Sequence, residues 1–214
     1  MVIAVDGPAA SGKGTIARAL ASHFKLPHMD TGMLYRAVAL NLWRWGGDLS
    51  SEFEALRACD VAAVDPDDPE LRSEPVSSIA SRISAYPSVR AALLDRQRQF
   101  AGQPGGAVLD GRDIGTVVAP DAAAKLFVTA SVEVRAQRRV RELLERGLPA
   151  HYDDVLTDIR ARDERDTRRE AAPLKQARDA DLLDTSTLDV DQAIAAAIRL
   201  VEQRLASRLP LNQK

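Results

Sequence analysis

The sequence predicts an α/β protein built on a parallel sheet with helices on both faces. Short apolar runs alternate with helical patterns along most of the chain, which is how parallel strands joined by crossover helices read in sequence. The first run opens into a glycine-rich turn and then directly into a helix. The chain has 214 residues, 45% apolar and 28% charged, enough for a substantial core but short for two full domains. One domain over 1–214 is expected, with an insert where the alternation fails.

Val2 to Asp6 forms the first strand by its β-branched residues. A helix follows from about Thr15 to Phe24, with Ile16, Leu20 and Phe24 on one face. Lys25 to Met29 leads into a second helix from about Gly32 to Trp45. Ala107-Val108-Leu109 stops at Asp110, Lys125 to Thr129 leads into a helix opened by Ser131, and Asp181-Leu182-Leu183 precedes the last helix. Asp189 followed by Gln192 gives that helix a capping-box-like start. The rhythm breaks from about Ser50 to Gln103, where Asp65-Pro66-Asp67-Asp68-Pro69 precedes helical stretches around Val76 to Ser84 and Val89 to Phe100. A segment of roughly 50 residues makes only a small core, so it reads as an insert at about 50–103 rather than an independent domain. Gly147 to Tyr152 interrupts an Arg-rich helical region. Pro173 ends that region, because the residue before a proline resists the α conformation. The tail after Leu209 is expected to fray.

Lys and Arg number 29 against 31 Asp and Glu, a net charge of −2 that argues against a nucleic-acid or membrane-surface binder. Of the basic residues 24 are Arg, and ten of these fall between Arg135 and Arg169, where eight acids nearly balance them. The position of each Arg therefore carries the information. A single cysteine, Cys59, cannot form an intramolecular disulfide and suits a reducing compartment as a small, partly buried residue. Apolar runs fall far short of the roughly 18 residues a membrane span needs. Met1-Val2-Ile3-Ala4-Val5 has no basic flank or cleavage site. A soluble, cytoplasmic monomer is expected, without nucleic-acid or membrane partners. His23, His28 and His151 lack metal-ligand spacing, and Trp43 and Trp45 read as packing residues rather than a base-stacking platform.

Gly7-Pro8-Ala9-Ala10-Ser11-Gly12-Lys13-Gly14-Thr15 follows a strand and opens a helix, the context a phosphate-cradling loop requires. Its glycines let backbone N–H groups converge on an anion, the helix N-terminus adds a favourable dipole, and Lys13 supplies a mobile charge for the outer phosphates. The chemistry is nucleoside-triphosphate binding. The strict pattern places Ser or Thr directly after the lysine, whereas here Gly14 intervenes and Thr15 brings the hydroxyl. This loop alone also suits a switch or carrier that binds without turnover.

Two strand ends carry further candidates. Asp30-Thr31-Gly32-Met33-Leu34-Tyr35-Arg36 begins a helix where Thr31 and Arg36 can grip a second phosphate, although a cap followed by a solvated arginine reads as well. Asp110-Gly111-Arg112-Asp113-Ile114-Gly115 follows the third apolar strand, and strand ends of an open parallel sheet face the ligand crevice. A third cluster runs from Arg160 to Arg169, where Arg162, Asp166 and Arg169 at i, i+4 and i+7 share one face of a helix. An exposed salt-bridged helix is the ordinary explanation of such a run, but phosphoryl transfer needs mobile cations over a triphosphate.

Taken together, the chain resembles the bacterial cytidylate kinases, within the nucleoside-monophosphate kinase family of P-loop kinases. The resemblance covers nearly the whole chain. It rests on Gly-Lys-Gly-Thr at 12–15, Asp-x-Gly-x-x-Tyr-Arg at 30–36, Tyr86-Pro-x-Val-Arg90 with Leu93-Leu94-x-Arg96-Gln97-Arg98, Asp-Gly-Arg-Asp at 110–113 and Arg-Asp-x-Arg-Asp at 162–166. The phosphate loop is common to many monophosphate kinases; its combination with Asp-Gly-Arg-Asp-x-Gly and the Arg-Asp cluster is far more specific. The resemblance implies a five-stranded parallel core, a monophosphate-binding insert and a short Arg-rich lid at about 146–172. It implies that Ser81, Arg90 and Asp113 read cytosine, that Arg162 and Asp166 contact ribose, and that Thr31, Arg36, Arg112 and Arg169 surround the monophosphate. Two departures stand out. Thr31 replaces a frequent serine, and Val61 to Glu74 is shorter than the usual hairpin-containing insert, with prolines where a strand is expected.

The implied reaction is transfer of the γ-phosphoryl group of ATP to CMP or dCMP, with Lys13, Arg162 and Arg169 stabilising the moving charge. Mg²⁺ would accompany ATP, with Thr15 as its protein contact directly or through water. A carboxylate such as Asp113 accepts from cytosine N4 and repels uracil O4, while Arg90 donates to N3 or O2. Two reversed contacts in a closed site give roughly two or more orders of magnitude in discrimination. A related kinase for another small acceptor is the nearest alternative, and a nucleotide-dependent regulatory or RNA-binding protein is a more distant one.

Overall fold

The computed structural model describes residues 1–208; the tail beyond Leu209 lies outside the described residues. Five parallel strands form one sheet: β1 (Val2–Asp6), β2 (His28–Asp30), β3 (Ala107–Gly111), β4 (Ala124–Thr129) and β5 (Asp181–Asp184), in the order β2-β3-β1-β4-β5. β1 is central, pairing Val5 with Asp110 of β3 and with Leu126 of β4. Ile3, Ala4 and Val5 are fully buried, as a strand covered on both faces and both edges must be. The chain passes to β3 on one side of β1 and to β4 on the other, so a crevice opens beyond the carboxyl end of β1.

On one face, α1 (Lys13–Phe24) and α8 (Val190–Arg208) pack Ile16, Leu20, Ala197 and Val201 against Ile3, Val5, Leu126 and Val128. On the other, Ala101 of α5 (Pro87–Ala101) joins Ala4, Leu109, Ile114 and Val118. α2 (Thr31–Arg44), α3 (Glu52–Arg57) and α4 (Glu74–Ile83) share a second core with α5, in which Leu40, Leu42, Leu71, Ile83 and Leu93 are nearly or fully buried. Because α2 belongs to both the sheet framework and this helical core, the 50–103 segment is built onto the main body. Among the described residues it contains no strand; Pro69–Arg72 forms a 3₁₀ turn capped by Asp68, and Ser73 caps α4. α6 (Val132–Glu145) and α7 (Tyr152–Arg168) pack on one another and are joined by a bend at Gly147, φ 73°; the stretch at about 146–172 expected to act as a lid spans this bend, α7 and the residues that follow it.

The structure departs from the sequence expectations at several points. α1 begins at Lys13, two residues early, and β3 continues to Gly111, so Asp110 is a strand residue. α3, the 3₁₀ turn and a π-helical turn at Ile114–Val118 are additional short elements. Arg169 is the C-cap of α7, not an interior helical residue: its ψ of 142° turns the chain away, but its φ of −59° and the bond from its N–H to Arg165 O keep it on the cavity-lining face with Arg162 and Asp166. Trp43 and Trp45 are 41% and 46% exposed instead of packed, and the Arg57 guanidinium lies 4.7 Å from the Trp45 ring centroid.

Candidate active site

The phosphate loop joins the central strand to α1. A Cβ at Gly7 would come within 2.0 Å of Val128 O on β4, so only glycine lets the chain leave β1 here. Gly12 caps α1 with φ 87°, and no acid occupies the helix's first turn, so its dipole faces the crevice unopposed. Burial, helped by the nearby Arg112 charge, pushes the Lys13 ammonium down to about 8; Asp110 and Asp30 pull the other way. Lys13 therefore stands among groups of both signs at the end of the sheet.

Three adjoining cavities surround this point. The first, about 240 Å³, is lined by Lys13, Asp30, Arg36, Arg72, Glu74, Arg112, Arg139, Glu142, Asp158 and Arg162. The second, about 50 Å³, is lined by Thr31, Arg36, Ser81, Arg90, Arg112, Asp113, Arg162, Asp166 and Arg169, together with Tyr35. All nine residues that the resemblance assigns to the acceptor thus meet in one place, although they come from α2, α4, α5, the β3 end and α7 with its C-cap. Arg36, Arg112 and Arg162 line both cavities, so the two share a wall of three guanidinium groups. The third cavity, about 440 Å³, lies outside the phosphate loop between Ala10, Ser11, Gly12, Thr15, Arg138, Thr185, Leu188 and Val190.

The second cavity is organised by carboxylates caught between arginines. Arg90 Nη2 donates to Asp113 Oδ2 at 2.5 Å, and Arg169 Nη2 lies 3.7 Å from Asp113 Oδ1. Arg112 Nε donates to Asp166 Oδ2 at 2.8 Å, while Arg169 Nη1 lies 3.9 Å from Asp166 Oδ1. Arg169 therefore bridges the two carboxylates. Burial acts against the Asp166 charge, but Arg112 and Arg162 outweigh it and hold the carboxyl below its ordinary range. Burial and the neighbouring Arg112 push Arg162 down to about 10, and its buried Nε has no hydrogen-bond partner. Ser81 Oγ accepts from Arg165 Nε at 3.2 Å and Nη2 at 3.1 Å, which ties α4 to α7 and leaves the serine O–H as a donor. Thr31 donates to Asp110 O at 2.9 Å, and Asp30 caps α2 by accepting from Gly32 N at 2.9 Å.

Sequence reasoning missed several contributors. Arg135 on α6, 5% exposed, donates through Nη1 to Ala9 O at 3.2 Å and makes a bidentate pair with Asp163 on α7, so α6 and α7 are both anchored to the phosphate loop. Arg138 donates to Thr185 Oγ1 at 2.9 Å and to Thr185 O at 2.6 Å beside the third cavity. Arg139 pairs with Glu74 across the first cavity, linking α6 to α4. The spacing 135, 138, 139 on a helix capped by Ser131 was the available signal. His28 is paired with Asp110 at 2.7 Å, a contact no spacing rule announces.

Among the described residues no cluster of three or more His, Cys, Asp or Glu could hold a metal ion. Thr15 is exposed at the rim of the third cavity, and Asp110 Oδ2 would lie 3.7 Å from a Cβ added at Gly14. Thr15 Oγ1 accepts from Arg18 Nη2 at 3.4 Å, and Asp110 brings one carboxylate near the helix start, so the site fits a small hard cation that takes most of its ligands from phosphate and water, not a cation caged by protein.

The cytidylate kinase family model matches residues 3–203. The chain is 60% identical over 210 residues to the cytidylate kinase of Xanthobacter autotrophicus, covering 97% of this chain and 100% of that one. It is 59% identical over 203 residues to the cytidylate kinase of Methylocella silvestris, covering 94% of each. Among solved structures, an uncharacterised protein from Eubacterium ventriosum shares the fold with a TM-score of 0.56 at 14% identity, covering 94% of this chain and 98% of that one.

Proposed function

The chain belongs to the cytidylate kinase family, and from that premise we propose which residues carry each part of its reaction. The protein is an ATP-dependent nucleoside-monophosphate kinase that transfers the γ-phosphoryl group of ATP to CMP. dCMP is proposed as a second acceptor, and Mg²⁺ as the metal ion that accompanies ATP.

The observation that carries the assignment is the shared wall of Arg36, Arg112 and Arg162 between the cavity of Lys13 and the cavity of the base-reading residues. Two polyanions that react in line must meet at such a point, with cations at hand and water kept out. The ATP phosphates follow the loop Gly7 to Thr15, with the donor nucleoside in the third cavity beside Arg138 and Thr185. The metal ion, when bound, neutralises and orients the phosphate oxygens, and Thr15 would hold it directly or through water, with Asp110 beside it. The acceptor phosphate is already an anion, so no general base is required. Lys13 follows the transferring group, and Arg36, Arg112 and Arg162 stabilise the charge spread over it. Arg139 adds a further cation from α6.

On the acceptor side Thr31 frames the pocket, and Asp166, steadied by Arg112 and Arg169, accepts from the ribose. Asp113 has two oxygens and so can hold Arg90 while accepting from cytosine N4; Arg90 and the Ser81 hydroxyl donate to N3 and O2. Uracil reverses the contacts at O4 and N3. No helix among the described residues is long and apolar enough to cross a membrane. The proposed working unit is a cytoplasmic monomer, since one chain supplies every group named. Asp113→Ala tests the base reading: the CMP to UMP ratio of kcat/KM falls by at least about tenfold, as loss of one charged contact implies, with ATP binding retained. An unchanged ratio in a folded variant makes Asp113 a structural turn residue.

A further inference from the structure

Asp6 ends β1 immediately before the phosphate loop, yet its side chain serves the acceptor side. Its Oδ1 accepts from Ile114 N and its Oδ2 from Gly115 N, both at 2.8 Å, and the residue is 5% exposed. These are the first two N–H groups of the helical turn Ile114–Val118, donors that a helix start leaves unsatisfied; Gly115 N, at the second position, is one that the N-cap side chain ordinarily takes up. The N-cap here is Asp113, and its side chain makes no capping bond. Its carboxylate faces Arg90 and Arg169 instead.

We propose that Asp6 is a positioning residue: by capping the turn in place of Asp113, it frees the Asp113 carboxylate to face the acceptor cavity and so sets base specificity without touching substrate. This rests on the reading that Asp113 takes the cytosine amino group. Asp6 lines none of the three cavities, so a direct ligand role does not account for it. The approach is close: a Cβ at Gly115 would lie 3.1 Å from Lys125 Cδ and 3.3 Å from Asp6 Oδ2. Burial pushes the Asp6 carboxyl up to about 7 against the pull of its two N–H partners, so the site holds an acid where an apolar side chain would escape the desolvation cost. The strand that launches the donor loop thereby fixes the turn that presents the base reader.

The test uses Asp6→Asn, which turns one of the two acceptors into a donor, and Asp6→Ser, which keeps one acceptor oxygen. Each is compared with Asp113→Ala and with the Asp6→Asn/Asp113→Ala double variant. Crystal structures should show the Asp113 carboxylate withdrawn from Arg90 and folded back onto the N–H groups of its own turn. The CMP to UMP ratio of kcat/KM should fall about tenfold or more, the scale of one lost charged contact. KM for CMP should rise more than kcat falls, and KM for ATP should stay near wild type. In the Asp113→Ala background Asp6→Asn should leave the ratio where Asp113→Ala put it, because both act through one carboxylate. Asp113 still on Arg90 in the folded Asp6 variants, or an equal further fall of the ratio in the double variant, overturns the proposal. Displaced Asp113 with an unchanged ratio in Asp113→Ala itself upholds the capping role and overturns only the base reading.

Discussion

Asp166→Ala removes a carboxylate that is 4% exposed and that accepts from Arg112 Nε at 2.8 Å, with Arg162 and Arg169 also directed at it. Deleting one partner of a buried ion pair leaves the other charges uncompensated and costs about 3–5 kcal/mol. The Arg112 side chain keeps 15% of its surface exposed, so water entering the enlarged pocket relieves part of this. The lower end, about 3 kcal/mol, is expected. For a chain of 214 residues that corresponds to a Tm lower by about 10 °C, at roughly 2–4 °C per kcal/mol. Because the folded Asp166 carboxyl is held below its ordinary range, its contribution is complete at neutral pH and is lost as pH falls through that depressed value. The Tm gap between wild type and variant is therefore full at pH 7 and closes only in strong acid. Thermal unfolding followed by circular dichroism, with kcat/KM for CMP and dCMP, measures both consequences. Turnover of both acceptors falls because Arg112 loses its anchor, and CMP suffers an extra loss of about 0.5–1.5 kcal/mol for one hydrogen bond to the 2′-hydroxyl. A Tm within about 2 °C of wild type, with dCMP turnover intact, refutes the anchoring argument. Equal losses for CMP and dCMP refute the ribose contact.

Lys13→Ala should lower turnover by about three or more orders of magnitude with the circular-dichroism spectrum unchanged, as for other lost transition-state cations; near-normal turnover at saturating ATP and CMP removes the assigned role. In the free protein Lys13 loses its proton through about pH 8, so kcat/KM for ATP should fall above that pH. At saturating ATP the bound phosphates favour the ammonium, and kcat should hold to higher pH; coincident profiles contradict this. Arg169→Ala should impair CMP and dCMP about equally, because Asp166 keeps its 2.8 Å bond from Arg112 and with it the ribose contact. A loss confined to CMP, read from the two kcat/KM values, places Arg169 at the 2′-hydroxyl instead.

The strands and the phosphate loop were legible because their signal is local: a β-branched run, then glycines, then a 3.6-residue period. That the residues proposed for the acceptor meet in one cavity was foreseen through motifs at strand ends and through the family resemblance, since no local rule brings Ser81 and Arg90 to the same cavity as Asp113. What stayed hidden had no period to betray it. α3 has six residues, and the turn at Ile114–Val118 has five, too few for a repeating face. In the near-neutral Arg-rich stretch, composition could not separate the buried Arg135, satisfied by Ala9 O and Asp163, from the exposed Arg168 paired with Glu164. The spacing that put Arg169 on the face of Arg162 and Asp166 holds, but it did not show that Arg169 is the C-cap, where the chain leaves α7 before Ala172 at φ 50° turns it toward Pro173. Trp43 and Trp45 lie at the end of a helix whose buried face has already passed, which hydrophobicity alone does not reveal.

The central claim is that a triphosphate on the Lys13 loop and a cytosine monophosphate in the Arg90–Asp113 pocket react across the wall of Arg36, Arg112 and Arg162. Its most direct test is the initial rate of ADP formation from Mg-ATP with CMP, dCMP, UMP, AMP or GMP as sole acceptor, each read against a blank without acceptor. The account predicts rapid ADP formation with CMP and dCMP, a rate with UMP lower by roughly two orders of magnitude from the two reversed base contacts, and almost none with purine monophosphates or in the blank. ADP formation that is independent of acceptor, or fastest with a monophosphate other than CMP or dCMP, contradicts it.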